Sequence, residues 1–194
     1  MKVSVGVSAR HIHLTEEHFK ALFGEKALLH EKKPIHQPEQ FAAEETVTIQ
    51  TEKAQIDHVR ILGPLRFCTQ VEISKTDAYQ LGIHPPIRDS GDLKGSAPLT
   101  IVGPVGTVVL EEGCIIASRH IHITPKQMEL YGLTGYTEVH VQVMGEKGGI
   151  LSHVHLKVSE KSYFELHLDT DDANAFQLQN GDIVTILEEN RDGI

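Results

Sequence analysis

The chain has 194 residues, of which 40% are hydrophobic and 23% are charged, so it can bury one sizeable core or two small ones. This composition excludes fibrous and disordered proteins, and no apolar run approaches the roughly 20 residues of a membrane span. The formal charge is −9 at pH 7, and Lys and Arg do not gather into one stripe, which argues against a nucleic-acid partner. The unusual feature is the presence of 13 histidines and no tryptophan.

The two cysteines, Cys68 and Cys114, lie far apart in the chain and form no C-x-x-C motif. Their spacing argues against a disulfide scaffold and against a thiolate zinc site, and it suits a reducing cytosol. The first residues, M-K-V-S-V-G, carry neither the apolar stretch nor the cleavage site of a secretory signal. We therefore expect a cytoplasmic protein without membrane contact.

The first motif along the chain is Val7–Thr15, which reads V-S-A-R-H-I-H-L-T. It returns at Ile116–Thr124 as I-A-S-R-H-I-H-I-T, with R-H-I-H preserved in full. A repeat of this quality indicates an internally duplicated architecture. In each copy the final threonine can serve as the N-cap of a short helix.

Four segments in all share one predicted shape, which is a strand, a capping residue, a short helix and a terminating glycine. The predicted helices are Glu16–Phe23 before Gly24, Lys75–Leu81 before Gly82, a helix from Pro125 to Gly132, and Asp171–Leu178 before Asn180 and Gly181. The predicted caps are Thr15, Ser74, Thr124 and Asp169. Two places before each cap stands a metal-capable side chain, and these side chains are His13, Glu72, His122 and His167.

Two further histidines belong to these corners, because His11 and His120 each stand two residues before a corner histidine. A strand alternates faces with a period of two, so both histidines of each H-I-H run point the same way. The corners thus predict two candidate metal-binding groups, a first group of His11, His13 and Glu72 and a second group of His120, His122 and His167. Imidazole and carboxylate suit zinc, cobalt, iron or manganese, and three ligands leave a tetrahedral metal one open position, as in catalytic sites.

The rest of the chain predicts mainly short strands separated by glycine and proline. These strands are Thr46–Gln50, Gln55–Leu62, Leu99–Val102, Thr107–Leu110, Val139–Val143, His153–Val158 and Ile183–Leu187. Many short strands with a few short helices favour β-barrels capped by helices over a βαβ sheet. The polar stretch 24–45, which carries Pro34 and Pro38, is predicted to be a surface insertion.

Arg66 stands six positions before Glu72, so the two side chains share a face if the strand between them is continuous. A guanidinium beside a metal suits recognition of phosphate or carboxylate, whereas a surface salt bridge is the alternative role. The glycine-rich run 88–96 is a candidate ligand loop, and its candidate contact residues are Arg88, Ser90 and Lys94.

The other notable polar residues are predicted to have structural roles. Arg10 and Arg119 alternate away from the histidine face and are expected to brace the corners. His153 and His155 have the H-x-H spacing but neither cap nor helix after them, so we expect them on an exposed strand. The remaining histidines are expected on the surface or in satisfied core positions, and they are His18, His30, His36, His58, His84 and His140.

Several runs of this sequence resemble the PduL-type phosphotransacylases, also called phosphate propanoyltransferases. The runs are V-S-A-R-H-I-H-L, G-P-L-R, T-Q-V-E-I-S, S-G-D-L-K-G-S, A-S-R-H-I-H-I and H-L-D-T-D-D-A-N-A, within residues 3–188. The resemblance implies a mainly β fold of two β-barrels capped by short α-helices, with the chain discontinuous between the barrels. The implied boundaries are 1–9 with 118–194 for barrel 1, 10–23 with 46–117 for barrel 2, and 24–45 for the insertion.

The resemblance also implies an activity. It is the reversible exchange between a short-chain acyl-CoA (propanoyl-CoA or acetyl-CoA) plus phosphate and an acyl phosphate plus CoA, at a dinuclear zinc centre. By motif, the resemblance implies that the first group holds one zinc ion and that the second group holds the other. It also implies that Arg66 binds the incoming phosphate. Cobalt or another divalent metal suits the same ligands.

One departure from the family concerns localisation. Family members destined for bacterial microcompartments carry an N-terminal amphipathic extension, whereas only M-K-V-S-V-G precedes the first motif here. We therefore expect a free cytoplasmic enzyme of acetate or propanoate metabolism, including propanediol degradation, with small-molecule substrates. The sequence leaves open whether the protein forms a homo-oligomer.

Two other interpretations use the same ligands. A dinuclear metallohydrolase of an ester or thioester would deliver hydroxide instead of phosphate, and it would need a general base near the metals, for which the sequence offers no convincing acid beyond Glu72. A non-enzymatic module would have closed, saturated metal sites that contribute folding energy.

Overall fold

The structure is a computed structural model that describes residues 1–187. Its strands are β1 (Lys2–Ser8), β2 (His11–His13), β3 (Glu31–Pro34), β4 (Phe41–Gln50), β5 (Gln55–Gly63), β6 (Gln70–Glu72), β7 (Ile87–Arg88), β8 (Ala97–Val102), β9 (Thr107–Ala117), β10 (His120–Ile123), β11 (Glu138–Val143), β12 (Gly149–Val158), β13 (Glu165–Asp169) and β14 (Ile183–Leu187). Its helices are α1 (Glu16–Phe23), α2 (Lys75–Leu81), α3 (Pro125–Leu130) and α4 (Thr170–Ala175). Within residues 1–187, none of the helices has the length and apolar character needed to cross a membrane.

The chain divides into two compact units. Unit 1 combines residues 1–8 with the chain from Ser118 onward, and unit 2 is the continuous segment Ala9–Ala117. Residues 188–194, which the sequence assigns to barrel 1, lie outside the described residues. Unit 1 is therefore assembled from two separate chain segments, between which the whole of unit 2 is inserted.

Unit 2 is a ring of six paired strands. Around the ring, β4 pairs with β5, β5 with β2, β2 with β6, β6 with β9, β9 with β8, and β8 closes onto β4. Two short strands extend this ring, β3 beside β4 and β7 beside β9. Since β4 begins at Phe41, the end of the polar stretch 24–45 forms part of a barrel strand.

Unit 1 is also a closed barrel, in the order β1, β13, β10, β12, β11 and β14. The two rings share one pattern of strand directions. β2 and β10 each have one parallel neighbour, β5 or β12, and one antiparallel neighbour, β6 or β13. β6 and β13 then pair in parallel with β9 and β1. The expected fold of two β-barrels capped by short helices is confirmed, and the duplication extends around the whole ring.

Each barrel has its own hydrophobic core. Fully buried side chains include Ile12, Ile61 and Ile101 in unit 2, and Ile121 and Leu166 in unit 1. Burying an aliphatic side chain of this size stabilises a fold by about 1.5–3 kcal/mol. Ile12 and Ile121 are the central residues of the two H-I-H runs, so the flanking histidines point to the opposite face of each strand.

All four helices begin after the predicted caps. Thr15 caps α1, Ser74 caps α2, Thr124 caps α3 and Asp169 caps α4. Ser74 and Asp77 form a reciprocal capping box, in which each side chain bonds the backbone N–H of the other. These helix starts are local in sequence, which is why the sequence alone locates them.

The fourth helix is shorter than the predicted range Asp171–Leu178, since α4 ends at Ala175. Beyond it, Gln177 has a φ of 55°, and the N–H of Leu178 donates to the carbonyl of Ala173 at 2.8 Å. This is a Schellman ending with glutamine in the left-handed position that glycine usually fills. The prediction was wrong because it took the next glycine in the sequence as the helix end.

Three strands are at least four residues longer than predicted. β4 begins at Phe41 instead of Thr46, β12 begins at Gly149 instead of His153, and β9 ends at Ala117 instead of Leu110. β9 passes through Gly113, whose φ is 147°, where its pairing with β8 shifts in register. Such a bulge lets a strand continue through a glycine that looks like a strand end in the sequence.

The arginines of the two R-H-I-H motifs brace the corners, as alternation predicts. Arg10 donates to Asp77 at 2.6 Å, and Arg119 donates to Asp172 at 2.8 Å. Both aspartates lie in the first turn of a helix, Asp77 in α2 and Asp172 in α4. Each arginine therefore joins the chain just before an H-I-H strand to a helix. Arg10 joins it to α2, which follows Glu72, and Arg119 joins it to α4, which follows His167.

Replacing Asp77 with alanine removes both its capping contact with Ser74 and its ion pair with Arg10. The side chain of Asp77 is 3% exposed and that of Arg10 is 44% exposed, so the aspartate is the buried partner. We expect Asp77→Ala to lower the free energy of unfolding by about 2 kcal/mol and Arg10→Ala by about 1 kcal/mol, as measured by urea denaturation.

Lys75→Ala, at an exposed position of the same helix, is the control and should change the free energy of unfolding by less than about 0.5 kcal/mol. Equal effects of Asp77→Ala and Lys75→Ala would contradict the bracing role.

Candidate functional site

The first group lies on the strand pair β2 and β6 of unit 2. The antiparallel register sets His11 opposite Glu72 and His13 opposite Gln70. Nε2 of His11 lies 3.4 Å from Oε2 of Glu72, and the rings of His11 and His13 are 5.1 Å apart between centroids. One ligand atom from each of the three residues lies within 4.8 Å of the others, so a single cation can contact all three.

The second group lies on the equivalent pair β10 and β13 of unit 1. The register sets His120 opposite His167 and His122 opposite Glu165. Nε2 of His120 lies 3.2 Å from Nε2 of His122, and the rings of His122 and His167 are 4.6 Å apart between centroids. Here too the three ligand atoms lie within 4.8 Å of one another. The structure therefore assembles all six candidate ligands into the two expected groups.

Backbone carbonyls orient the leading histidine of each group. Nδ1 of His11 is 2.9 Å from the carbonyl oxygen of Ala9, and Nδ1 of His120 is 2.8 Å from that of Ser118. Because a carbonyl oxygen only accepts, Nδ1 is the donor, which makes Nε2 the nitrogen of each ring that could bind a metal. Metal-binding histidines commonly have this second contact, which fixes both the tautomer and the ring orientation.

Burial sets the charge state of His13. Burial lowers the pKa of His13 to about 3, and the charges of His11 and Arg66 act in the same direction. The carboxylate of Glu72 and the carbonyl of Leu62 act in the opposite direction. His13 is therefore neutral at physiological pH, in the form in which an imidazole binds a metal.

The donor types suit a zinc ion, and one distance in each group matches tetrahedral spacing. Zinc bonds to nitrogen or carboxylate oxygen are about 2.0–2.1 Å long, which places two tetrahedral ligand atoms about 3.3 Å apart. The corresponding distances are 3.4 Å between His11 and Glu72 and 3.2 Å between His120 and His122. The same donor sets suit cobalt, and three protein ligands leave one coordination position for a substrate or water.

Arg66 reaches the first group from a loop. β5 ends at Gly63 and β6 begins at Gln70, so the strand is not continuous and the alternation argument does not place this side chain. The backbone N–H of Arg66 donates to the carbonyl of Leu14 at 2.8 Å, and its guanidinium donates to Oε1 of Gln40 at 3.1 Å. These two contacts hold the backbone and the guanidinium of Arg66, and the first of them joins Arg66 to the residue that follows His13.

The electrostatics of Arg66 link it to the first group. Burial lowers the pKa of Arg66, and the charge of Glu72 acts in the opposite direction. The positive charge of Arg66 in turn helps to lower the pKa of His13. A guanidinium stays protonated at neutral pH in proteins. The first group thus has a permanent positive charge in a planar donor fork beside it, which suits paired phosphate or carboxylate oxygens.

The candidate loop 88–96 is connected to the first group through Ser90. Oγ of Ser90 accepts a hydrogen bond from Gln70 at 2.8 Å, and Gln70 also donates to the carboxylate of the first group. Arg88 instead lies 3.4 Å from Asp92 within the loop. Lys94 is exposed.

Two residues on the ligand-bearing strands do not stand out in the sequence, Gln70 and Glu165. Gln70 donates to Glu72 at 2.5 Å, and Oε2 of Glu165 lies 2.9 Å from Nε2 of His167. Each stands two residues before the third ligand of its group, which is the spacing that identifies the H-I-H runs. Period-two alternation applied backwards from Glu72 and His167 is the signal that finds both.

Histidines outside the two groups have ordinary partners. Nδ1 of His18 is 2.8 Å from the hydroxyl of Thr69. His153 is exposed on β12 and lies 3.1 Å from Glu138, as predicted for this H-x-H run. His155 is instead half-buried and lies opposite His120 in the register of β10 and β12.

The chain matches the family model described as phosphate propanoyltransferase over residues 4–179, a range that contains both groups and Arg66. A phosphate propanoyltransferase of Thermotoga maritima is 50% identical over 187 residues, which cover 96% of this chain and 89% of the relative. Phosphate propanoyltransferases of Rhodopseudomonas palustris and Salmonella arizonae are 48% and 44% identical. These two matches cover 97% and 89% of this chain and 83% and 82% of the relatives.

Gly6 on β1 lies opposite His167 and has no room for a side chain. An added Cβ would stand 2.8 Å from the Glu165 carboxyl group and 3.1 Å from the His167 ring. We expect Gly6→Ala to displace His167 and to lower metal retention by the second group about tenfold or more, measured by chelator titration of the zinc-loaded protein. The change removes no ligand atom.

Ser4→Ala, two residues earlier on the same face of β1, is the control and should retain zinc as the wild type does. Identical chelator titrations of Gly6→Ala and the wild type would argue against His167 as a metal ligand.

Proposed function

This chain belongs to the phosphate propanoyltransferase family, and on that premise we propose that it interconverts propanoyl-CoA plus phosphate with propanoyl phosphate plus CoA. In the direction of acyl phosphate, a phosphate oxygen forms a bond to the thioester carbonyl carbon, the carbon–sulfur bond breaks, and CoA leaves as its thiolate. Acetyl-CoA is included in the proposal, because a pocket discriminates one methylene by only about 1–3 kcal/mol.

The proposed cofactor is two zinc ions, one held by each group. When bound, the ions supply Lewis-acid polarisation of the thioester carbonyl and stabilise negative charge on the leaving sulfur. The protein prepares the ligands in advance, since burial keeps His13 neutral and carbonyl contacts orient His11 and His120. Ligands that are already oriented lose little conformational freedom when a metal binds.

The observation that carries the proposal is the link between Arg66 and the first group, namely its backbone contact with the residue after His13 and the effect of its charge on His13. Its backbone contact with Leu14 and its side-chain contact with Gln40 hold the guanidinium before phosphate arrives. A planar fork can bind two phosphate oxygens and leave a third directed at the carbonyl carbon. A hydrolase of esters or thioesters delivers water and needs no such fork, so Arg66 favours the transferase.

We propose direct transfer, without an acyl-enzyme intermediate. Burial raises the pKa of Cys114 to about 12, and the charge of Asp77 acts in the same direction, so this thiol stays protonated and unreactive. Cys68 is exposed, where an acyl-cysteine would be open to hydrolysis. Direct transfer to phosphate avoids the loss of the acyl group by hydrolysis of such an acyl-cysteine.

The proposed partners are small molecules, namely the acyl-CoA, phosphate and their products. The proposed location is the cytoplasm. Both cysteines of the chain are free thiols, one exposed and one buried, which is compatible with a reducing compartment.

The assay that tests this function follows thiol release from propanoyl-CoA with and without inorganic phosphate. Transfer predicts phosphate-dependent release of CoA, matched one to one by propanoyl phosphate quantified by phosphorus NMR. Acetyl-CoA and butanoyl-CoA run in parallel give the chain-length preference. Thiol release at the same rate without phosphate would instead identify a thioesterase.

Arg66→Ala should lower phosphate-dependent turnover by at least about 100-fold, because the charge and the donor fork are lost together. Zinc content should stay at the wild-type value, since Arg66 is not a ligand. Arg66→Lys keeps the charge but loses the paired hydrogen bonds, so it should recover only part of the affinity for phosphate, read as KM.

Arg60→Ala is the control of matched charge, because Arg60 bonds the carbonyls of Ala43 and Glu44. An unchanged KM for phosphate in Arg66→Ala, with metal intact, would remove Arg66 from the phosphate site.

A further inference from the structure

Gln70 is a buried amide whose N–H groups and carbonyl oxygen are all engaged. The residue is 2% exposed. Its Nε2 donates to Oε1 of Glu72 at 2.5 Å and to Oγ of Ser90 at 2.8 Å, and its Oε1 accepts from the N–H of Gly91 at 2.7 Å. Turning this amide would leave buried polar groups unpaired, which is unfavourable. The side chain is therefore fixed against Glu72.

Glu165 occupies the equivalent position in unit 1. Gln70 stands opposite His13 on the pair β2 and β6, and Glu165 stands opposite His122 on the pair β10 and β13. Glu165 is 4% exposed, and its Oε2 is 2.9 Å from Nε2 of His167. A carboxylate only accepts, so His167 is the donor in this contact.

The chemistry of each position is complementary to the ligand beside it. Glu72 can only accept a hydrogen bond, and its neighbour Gln70 donates one. His167 has an N–H to donate, and its neighbour Glu165 accepts it. The polarity of the neighbour reverses when the polarity of the ligand reverses, which is what a role in orienting the ligand requires.

We propose that Gln70 and Glu165 are positioning residues, each of which orients the third metal ligand of its group. Gln70 engages Oε1 of Glu72 and so leaves Oε2, the oxygen 3.4 Å from His11, directed toward the metal position. Gln70 also ties this carboxylate to the loop 88–96 through Ser90 and Gly91. The inference rests on the proposed function in one respect, that the groups hold metal.

Gln70→Glu reverses the polarity of the position and keeps its shape. A carboxylate there cannot donate to Glu72 and repels it, so we expect zinc retention by the first group to fall about 10–100-fold in a chelator titration. Gln80→Glu, the same change on an exposed position of α2, is the matched control and should retain zinc as the wild type does. Glu165→Gln keeps an oxygen that can accept from His167, so it should cost less than Gln70→Glu.

This order of effects separates positioning from a general charge effect. If these residues acted only through their charge, the added carboxylate of Gln70→Glu would strengthen cation binding, and the carboxylate lost in Glu165→Gln would weaken it. Positioning predicts the reverse order. Zinc retention that is unchanged or higher in Gln70→Glu overturns the proposal.

Gln70→Met tests the tie to the loop without a change of charge. Methionine has a similar volume, but its thioether is only a weak acceptor for the N–H of Gly91, whereas glutamate is a strong one. Hydrogen exchange at the Gly91 amide should therefore accelerate in Gln70→Met and stay slow in Gln70→Glu, while both variants lose zinc more readily than the wild type. Thermal melts of both variants check that each is folded, and equal Gly91 exchange in the two would overturn the tie.

The proposal and the proposed function can fail separately. Wild-type zinc retention in Gln70→Glu, together with phosphate-dependent turnover of the wild type, removes the positioning role and keeps the reaction. Loss of zinc in Gln70→Glu, together with thiol release that ignores phosphate, keeps the positioning role and removes the reaction. A wild-type protein that retains no divalent metal overturns both.

Discussion

The antiparallel register of two short strand pairs, β2 with β6 and β10 with β13, is the constraint on which both ligand groups depend. Side chains alternate along a strand, so a slip of one residue would turn every ligand to the other face and bring Ile12 or Ile121 out of the core. Both isoleucines are fully buried, and exposing such a side chain costs about 1.5–3 kcal/mol. The hydrophobic core therefore specifies the ligand register without any contribution from a metal.

The arginine of each R-H-I-H motif reinforces this register from outside the ligand face. Arg10 immediately precedes His11, and its partner Asp77 lies in the helix that follows Glu72. The ion pair thus links the chain just before His11 to the chain just after Glu72, the residue opposite His11 on the neighbouring strand. This cross-link holds the two strands in register. The repetition of arginine in both motifs is explained by this cross-link.

The sequence predicts the corners well because each corner is local, with strand, cap and ligand all within a few residues. It does not place Arg66, whose position depends on a loop that contacts Leu14 and Gln40 from distant parts of the chain. It also passes over Gln70 and Glu165, because their value depends on knowing which strands pair. A polar residue on a short strand is unremarkable until its neighbour across the sheet is known.

The two groups differ in their ligands but have the same formal charge once the positioning residue is counted. Glu72 carries a carboxylate beside the neutral Gln70, and His167 is a neutral ligand beside the carboxylate of Glu165. What differs is where that charge sits, since Glu72 is itself a candidate ligand and Glu165 lies behind the imidazole of His167. The first group, whose carboxylate is a candidate ligand, is also the group on which the charge of Arg66 acts. In the first group the acid is the candidate ligand and its neighbour is neutral, and in the second group these roles are reversed. This one reversal, on two barrels with the same strand pairing, makes the two groups chemically different.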